Sequence, residues 1–327
     1  MIQKVQIKKW KEKIDNMLAN LIIYDDSDST EEAVEHFYPR LKKLPLKNPI
    51  VNKILIAEIL NYHKNFTGKT AEILTVLFVK LNLDKDARKK LKDKNWEVKI
   101  EGIREASQME LRDIAETVFT YTDDENALLR MEAQAAYIKL SETDPFHFLD
   151  RAHERILDWH QLVLFEVITK NKKLVIPSFS KWLHSPNDTV VTLCLKLIDH
   201  FMQFDAAEEL ERLLMHHNPK IRKKAIQILG KLEIEGSEKH IFEIYFDQPL
   251  DIKLEILETL GRISSSKYTD FLSSRVYSDD FKIKMTALKA IKMNTEIGAE
   301  TLKEIYKQTS SDNRAIINHV LDERIKA

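Results

Sequence analysis

The stretch HNPKIRKKAIQILGKL, residues 217–232, decides the fold. Its apolar residues Ile221, Ala225 and Leu229 recur every four positions, a spacing that keeps them on one face of a helix. Pro219 suits the first turn of that helix, because the N–H that proline lacks would have no partner there. The stretch also carries five cations. It therefore predicts either a basic helix that binds phosphate or one copy of a structural repeat.

The apolar spacing of this stretch returns along the chain with a period of 31 residues. Seven copies can be aligned, with one residue of slip between the second and the third: Val98, Gly102 and Ala106; Leu129, Ala133 and Tyr137; Trp159, Val163 and Val167; Val190, Cys194 and Ile198; Ile221, Ala225 and Leu229; Ile252, Ile256 and Leu260; and Ile283, Ala287 and Ile291. A first helix precedes the later copies and repeats at the same period, through Phe179, Leu210, Ile241 and Leu272. One helix pair cannot bury its apolar stripe alone, so the pairs are expected to stack into a continuous core.

The repeated segments resemble a known repeat family. NPKIRKKAIQILGKL and DENALLRMEAQAAYIKL are similar to the second helix of a HEAT repeat, in which an acidic turn precedes Val-Arg, Ala and Ala-Leu-Gly. The resemblance covers residues 95–327 and implies an all-α fold, a right-handed α-solenoid of HEAT-like helix pairs. It indicates an architecture and no particular activity.

The sequence before residue 95 is less regular. Residues 1–30 are predicted to form a basic, juxtamembrane-like helix and a flexible joint at the DDSDS segment, 25–29. Residues 31–94 are predicted to form an N-terminal helical cap, because the end of a solenoid needs its exposed core covered. Residues 95–327 are assigned to the HEAT-like repeats.

A second resemblance concerns residues 81–109, which are similar to a segment of membrane-anchored HEAT-repeat proteins of Bacteroidota. Those proteins have an N-terminal transmembrane helix, a basic juxtamembrane stretch and then the solenoid. Here the basic stretch is present without a run of about 18 apolar residues. Either the protein differs from that group, or its anchor lies before Met1. The resemblance implies a cytoplasmic location, with inner-membrane association through a segment absent from this chain, and the single Cys194 fits a reducing compartment.

Charge is distributed unevenly although the net charge is −1. Residues 1–104 carry 21 Lys and Arg against 15 Asp and Glu, a balance of +6, and the rest of the chain carries −7. No overall field would gather nucleic acid. A candidate membrane or anion patch is nevertheless predicted, with a solvated turn and nucleic-acid contact as the alternatives; its residues are Lys8, Lys9, Arg88, Lys89, Lys90, Lys92 and Lys94.

A cation follows the leading apolar residue in most copies, and an Asp often stands six residues before it. This pattern predicts a structural ladder between stacked turns, in which the cation is paired and unavailable to phosphate. The ladder residues are Asp93, Lys99, Asp124, Arg130, Asp247 and Lys253. Arg222 lacks the acidic residue, because His216 occupies that place.

A candidate partner patch is predicted on the second helices of two copies. Most copies place polar residues three and six positions after the leading residue, but here Leu162, Phe165, Leu193 and Lys196 occupy those places. An exposed apolar patch in a polar surface is typical of an interaction site. The alternative is that these side chains pack against a neighbouring helix.

No set of residues singles out a catalytic, metal or cofactor site. His216 and His217 are adjacent, and adjacent residues on a helix do not face one direction, so no metal site is expected. Cys194 occupies a small core position of its repeat, which favours packing over nucleophilic chemistry. The chain is therefore predicted to be non-enzymatic and to need no cofactor.

Three functions from different classes remain open. The first is a protein–protein interaction scaffold, on the cytoplasmic side of a membrane. The second is a nucleic-acid-binding HEAT-repeat protein of the DNA-glycosylase-like kind, which the alternating sign of charge along the second helices disfavours. The third is a HEAT-like lyase, which would need a ligand-lined pocket.

Overall fold

The computed structural model describes residues 2–22, 29–263, 266–294 and 297–322, and within them every regular element is a helix. The predicted all-α class, built of stacked helix pairs, is thereby confirmed. The chain divides into two compact units, residues 1–154 with 158–172 and residues 155–157 with 173–327. The predicted joint at 25–29 lies outside the described residues except for Ser29, and the predicted boundaries at 30 and 94 stay predictions.

The described residues of the first unit form nine α-helices. Ser29 caps α2 with a complete capping box, in which Ser29 and Glu32 satisfy each other's main-chain N–H groups. Helix α3 packs on α1 and α4, α5 packs on α6, and α6 packs on α8. The helices are α1 (Ile2–Ile22), α2 (Thr30–Lys42), α3 (Pro49–Asn65), α4 (Lys69–Lys80), α5 (Asp84–Leu91), α6 (Trp96–Gln108), α7 (Ala115–Phe119), α8 (Ala127–Leu140) and α9 (Asp158–Lys170).

The second unit is a regular array of short first helices and longer second helices. The second helices α10, α12, α14 and α16 stack on one another in that order, and α16 packs on α18. Several first helices end in a 3₁₀ turn, which tightens the chain before the second helix. The helices are α10 (Asp188–Phe201), α11 (Ala207–Arg212), α12 (Pro219–Lys231), α13 (Ser237–Glu243), α14 (Leu250–Ile263), α15 (Thr269–Arg275), α16 (Phe281–Met293), α17 (Gly298–Gln308) and α18 (Ser311–Leu321).

Glycine lets neighbouring second helices approach closely. A Cβ at Gly261 in α14 would lie 2.6 Å from the Cα and the carbonyl oxygen of Ala290 in α16. A Cβ at Gly230 in α12 would lie 2.7 Å from Cγ2 of Thr259 in α14. Helix packing at these points therefore requires a residue without a side chain.

The buried stripe of α9 corrects one sequence alignment. Trp159, aligned as the leading core residue of its copy, is 43% exposed. Helix α9 buries His160, Leu164 and Ile168, a stripe one position further along, together with Gln161 beside it. The stripe lies 31 residues after Leu129 and its companions, so the slip in the repeat falls between α9 and α10. A histidine thus occupies a core position that aliphatic residues fill in the neighbouring copies.

Among the described residues, no helix has both the length and the apolar character that a bilayer crossing requires.

Candidate functional site

The turns before five of the second helices are built in a common way. An Asn or Asp caps the helix by accepting N–H groups of its first turn, and a side chain two residues earlier accepts the main-chain N–H of that cap. The acceptor distances to the cap N–H lie between 2.8 and 3.3 Å. Five acceptor and cap pairs share this arrangement: Asp93 and Asn95, Asp124 and Asn126, Ser185 and Asn187, His216 and Asn218, and Ser278 and Asp280.

Arg222 holds one of these turns and links it to the next pair. Its Nη1 donates to the carbonyl oxygens of His216 at 2.7 Å and His217 at 3.2 Å. Its Nε donates to Oε1 of Gln248, in the turn before α14, at 2.9 Å. Arg222 therefore has a complete structural role without an acidic partner.

The predicted ladder differs from the structure in its acceptors. The carboxylates of Asp93 and Asp124 accept the N–H groups of the following caps, both at 2.8 Å. Arg130 reaches past the carboxylate and donates to the main-chain carbonyl oxygens of Asp124 and Glu125. The physical reason is that the cap N–H needs a hydrogen-bond acceptor, which the side chain of Asp, Ser or His can supply. The main-chain carbonyl oxygens need a hydrogen-bond donor, which Arg130 supplies.

The two lysines of the predicted ladder, Lys99 and Lys253, have aromatic neighbours. The Nζ of Lys99 lies 4.6 Å from the ring centroid of Tyr121, and that of Lys253 lies 5.7 Å from the ring of Tyr245. Tyr121 belongs to the turn of the following helix pair and donates its hydroxyl to the carbonyl oxygen of Leu91 at 2.6 Å. The Lys99–Tyr121 contact therefore joins successive repeats, as Arg222 does.

Ion pairs between second helices neutralise much of the charge on those helices. In the first unit Arg104 of α6 binds Glu132 of α8. In the second unit Asp199 of α10 accepts hydrogen bonds from Lys224 at 2.6 Å and Lys231 at 2.5 Å, both on α12. Burial raises the pKa of Asp199, but these two hydrogen bonds outweigh it and hold the pKa below its ordinary value. Such paired cations are not available to a phosphate backbone.

The predicted membrane or anion patch is partly neutralised as well. The exposed Lys8 lies 3.8 Å from the carboxylate of Glu12. Arg88 binds Asp84 at 2.9 Å and Asp113 at 2.7 Å, and Lys90 binds Asp86 at 3.0 Å and Glu105 at 2.5 Å. These two cations are therefore not free to contact an anionic surface. Anion contact stays a prediction for Lys8, Lys9, Lys89, Lys92 and Lys94.

The predicted partner patch is divided by the structure. Leu162 is 64% exposed, and Phe165 beside it is half-buried; both lie in the first unit. Leu193 and Lys196 lie in the second unit. Leu193 is fully buried, because α10 is enclosed on more than one face, so Leu193 is not part of an exposed patch. Partner binding at Leu162 and Phe165 stays a prediction.

His216 and His217 do meet at one carboxylate, which corrects the assumption that they lie on a helix. They occupy the extended turn before α12, and their Nε2 atoms lie 3.7 and 3.3 Å from the carboxylate oxygens of Asp188. The Nδ1 of His216 accepts the N–H of Asn218 at 3.1 Å, so in the neutral ring Nε2 carries the proton. A protonated Nε2 cannot bind a metal. The hydrogen bonding of His216 thus fits a structural turn.

Groups that could support catalysis are sparse in the described part of the second unit. Cys194 is fully buried, and burial raises the pKa of its thiol, so the reactive thiolate does not form near neutral pH. An open cavity of about 280 Å³ between α17 and α18 offers amines and one phenol but no carboxylate, imidazole or thiol; it is lined by Leu302, Lys303, Tyr306, Lys307, Asn318 and Leu321.

One edge of the second unit exposes large apolar side chains at a repeated position. Met215 and Phe246 lie in the 3₁₀ turns that follow α11 and α13, and Tyr277 lies two residues after the end of α15. The three residues stand 31 positions apart. Their exposed fractions are 78%, 58% and 51%. The buried stripes begin at Ile221 and Ile252 in the following helices, so folding does not require apolar residues at this position.

Two further residues extend this surface. Leu250 and Phe281 are the first residues of α14 and α16, four positions after Phe246 and Tyr277, and both are exposed. We call Met215, Phe246, Leu250, Tyr277 and Phe281 the apolar edge. Because every turn behind it is fixed by a cap and its acceptor or by Arg222, the edge is presented on rigid backbone.

Phe246 is held by an aromatic cluster. Its ring lies 5.3 Å from Tyr245 and 6.2 Å from Phe271, in both cases edge to face. The guanidinium of Arg275 lies 5.9 Å from the ring of Phe246 and 5.4 Å from that of Phe271. Aromatic and Arg side chains with restricted rotamers lose little entropy on binding, which is why interfaces are enriched in them.

The apolar edge was not predicted from the sequence, because its residues lie outside the core stripes of the second helices. The signal was nevertheless present, since Met215, Phe246 and Tyr277 are spaced by the same 31 residues and flank Pro- or Asp-containing turns. A search for apolar residues repeated outside the core stripe would have found them.

Comparisons with known proteins found similar solved structures but no matching family. No family model and no curated protein matches the sequence. Three solved structures are similar over most of the chain. An engineered protein has 14% identity over 96% of this chain and 98% of that one, with a TM-score of 0.37. Human deoxyhypusine hydroxylase in complex with glycerol has 14% identity, 81% and 96% coverage and a TM-score of 0.32. The complex of CpcE and CpcF of phycocyanin lyase from Nostoc sp. PCC7120 has 11% identity, 91% and 97% coverage and a TM-score of 0.26.

Proposed function

We propose that the protein is a non-enzymatic interaction scaffold that binds another protein through the apolar edge of its second unit. The observation that carries the proposal is the exposure of Met215, Phe246 and Tyr277 at one position of three successive helix pairs. Single exposed apolar residues are ordinary, but a repeated row is not required by the core.

The dimensions of the edge suit a segment of a partner protein. Packed helices lie about 8–10 Å apart, so the row from Met215 to Tyr277 extends over roughly 20 Å. Its side chains are two aromatics and a methionine, the residue types that interfaces favour. Burial of such side chains contributes about 1.5–3 kcal/mol each in transfer terms, before the costs of association are subtracted.

The other charged surfaces support the same proposal. The ion pairs of Asp199 with Lys224 and Lys231, and of Arg104 with Glu132, satisfy cations that a nucleic-acid groove would need for phosphate. A scaffold needs its helices fixed relative to each other, and these pairs join successive second helices. These ion pairs account for charged side chains, whereas the apolar side chains of the edge remain exposed.

Site-specific cross-linking tests the proposal directly. A photoreactive phenylalanine analogue is placed at position 246 or 277 of the full chain in its native cells, and adducts are identified by mass spectrometry. We expect the same protein from both positions, with a yield that falls at least about fivefold when Met215→Ser is added.

A matched control uses Lys239, which is exposed on the first helix α13. The analogue at position 239 should give no adduct with that protein. If position 239 captures it as well as positions 246 and 277 do, or if neither edge position gives an adduct, the apolar edge is not a docking surface.

A further inference from the structure

Two of the three turns that carry the apolar edge are acidic, whereas the turn after Met215 contains His216, His217 and Lys220 and no carboxylate. Residues 246–251 and 277–282 together contain four Asp and one Lys, a net charge of −3. Asp247, Asp251 and Asp279 are exposed there, and Lys282 is the one lysine of the two segments. The aromatic strip is therefore bordered by carboxylates.

The local contacts leave this negative charge uncompensated toward solvent. Oδ1 of Asp280 accepts the N–H groups of Lys282 at 2.8 Å and Ile283 at 3.2 Å, so Asp280 serves as the helix cap. Arg275 lies under the rings of Phe246 and Phe271 rather than beside the exposed Asp residues. The edge thus combines apolar area with an acidic border.

We infer that the occupant of the apolar edge is a protein segment with apolar side chains flanked by Lys or Arg. The inference rests on the proposed function and adds the chemistry of the partner. Charge complementarity selects this occupant, because carboxylates at Asp247, Asp251 and Asp279 attract cations and repel acidic segments. The same border repels phosphate, which excludes nucleic acid and anionic lipid headgroups at this surface.

Geometry sets the length of the segment. A row of roughly 20 Å is matched by about 13 residues of helix at 1.5 Å per residue, or by about six residues of extended chain. In a helix, apolar residues at positions i, i+3 or i+4, i+7 and i+11 would lie along the row, with basic residues on the two flanks.

Peptide selection on the full chain tests the inference. A random 16-residue library displayed on phage is panned against the protein, and the recovered peptides are synthesised and their affinities measured by fluorescence anisotropy. We expect recovered sequences that combine apolar residues with net positive charge. Their affinity should fall at least about tenfold for Phe246→Ser with Tyr277→Ser, and about tenfold for Asp247→Asn, Asp251→Asn and Asp279→Asn together.

Two control measurements keep the outcomes distinguishable. Both multiple variants replace exposed residues, so circular dichroism and the melting temperature should match the wild type. The variant Lys239→Ser, on the first helix α13, should bind the peptides with unchanged affinity. A variant that loses helicity would be replaced by Met215→Ser with Tyr277→Ser, which leaves the aromatic cluster of Phe246 intact.

The two proposals fail in different ways. Peptides whose binding requires Phe246 and Tyr277 but that are neutral or acidic would overturn the charge inference and retain the docking edge. Peptides whose affinity is unchanged by the Asp→Asn substitutions would do the same. Peptides that bind equally to the Phe246→Ser, Tyr277→Ser variant remove the edge itself, as does recovery of no peptide above background. Self-association of the wild type that this variant abolishes would assign the edge to a second copy of the chain and also overturn the inference.

Discussion

His160 makes the stability of the first unit sensitive to mild acid. It is fully buried at a core position of α9, and neither ring nitrogen has a hydrogen-bond partner among the described residues. Burial, with a smaller contribution from the charge of Arg130, lowers the pKa of His160 to about 4 from 6.5. The native protein therefore holds this imidazole neutral, whereas the unfolded chain protonates it below pH 6.5.

The size of the effect follows from proton linkage. Because the folded pKa is the lower one, the unfolded state binds more protons as the pH falls from 6.5 toward 4, and the free energy of unfolding decreases over that window. The full difference corresponds to about 3 kcal/mol. At pH 5 the unfolded form is nearly all protonated and the native form is nearly all neutral, so about 2 kcal/mol is already lost relative to pH 8.

His160→Leu isolates this contribution. Leucine is the residue at the equivalent position of α8, Leu129, so the substitution fits the local stripe. The free energy of unfolding of both proteins is measured by urea titration at pH 8 and pH 5, with amide hydrogen exchange in α9 as a local probe. We expect the difference between His160→Leu and wild type to shift by about 2 kcal/mol in favour of the variant at pH 5.

The double difference removes every other titrating group from the comparison. His36→Leu, at an exposed histidine of the same unit, is the matched control and should show no such shift. If wild type and His160→Leu lose stability equally between pH 8 and pH 5, His160 is not held neutral by burial, and the reasoning is refuted.

Three further substitutions test how the repeats are joined, each by urea or thermal unfolding. Gly261→Ala should cost about 1–3 kcal/mol, because its Cβ would meet Ala290 at 2.6 Å and force α14 and α16 apart. Asp199→Asn should cost about 2 kcal/mol at pH 7 and less at pH 3, because the stability that Asp199 contributes is present above pH 3.8 and is lost as the pH falls from 3.8 through its lowered folded pKa. Arg222→Met should cost about 2–3 kcal/mol, and Arg222→Lys should recover only part, since a lysine cannot reach both carbonyls and Gln248.

Each of these expectations has an outcome that contradicts it. An unchanged melting temperature for Gly261→Ala would show that the two helices have room for a methyl group. An Asp199→Asn cost that is equal at pH 7 and pH 3 would mean that its hydrogen bonds do not depend on ionisation. Full recovery by Arg222→Lys would assign the role of Arg222 to charge alone.

The fold class was predictable because it depends on periodic burial, which the sequence displays. Ile221, Ala225 and Leu229 are all in the core, as their spacing indicated. The register of α9 was not predictable from the same rule, because Trp159 is as apolar as a core residue and His160 is not. A single buried histidine without partners is a local violation of hydrophobic patterning, and only packing shows that it is there.

The roles of the turn residues were less predictable, because one chemical need is met by several residue types. The position two residues before each cap holds Asp124, Ser185, His216 or Ser278, and all four accept the same N–H group. In the sequence this position holds an Asp in some repeats and an uncharged residue in others, and the Asp residues suggested an ion-pair ladder. In the structure these residues share one recurring geometry, in which each places a hydrogen-bond acceptor at the same point of its turn.

Spacing and burial together identify the apolar edge. A 31-residue spacing by itself identifies equivalent positions, and burial then divides them into those that serve the core and those that do not. Ile221 and Ile252 belong to the first class, whereas Met215, Phe246 and Tyr277 have the same spacing and remain exposed. Their turns are held by hydrogen bonds that would form equally well with polar residues there. Phe246 also packs on Tyr245 and Phe271, but the core stripes do not depend on the apolar character of the row. A contact with a second protein would give the whole row a physical role.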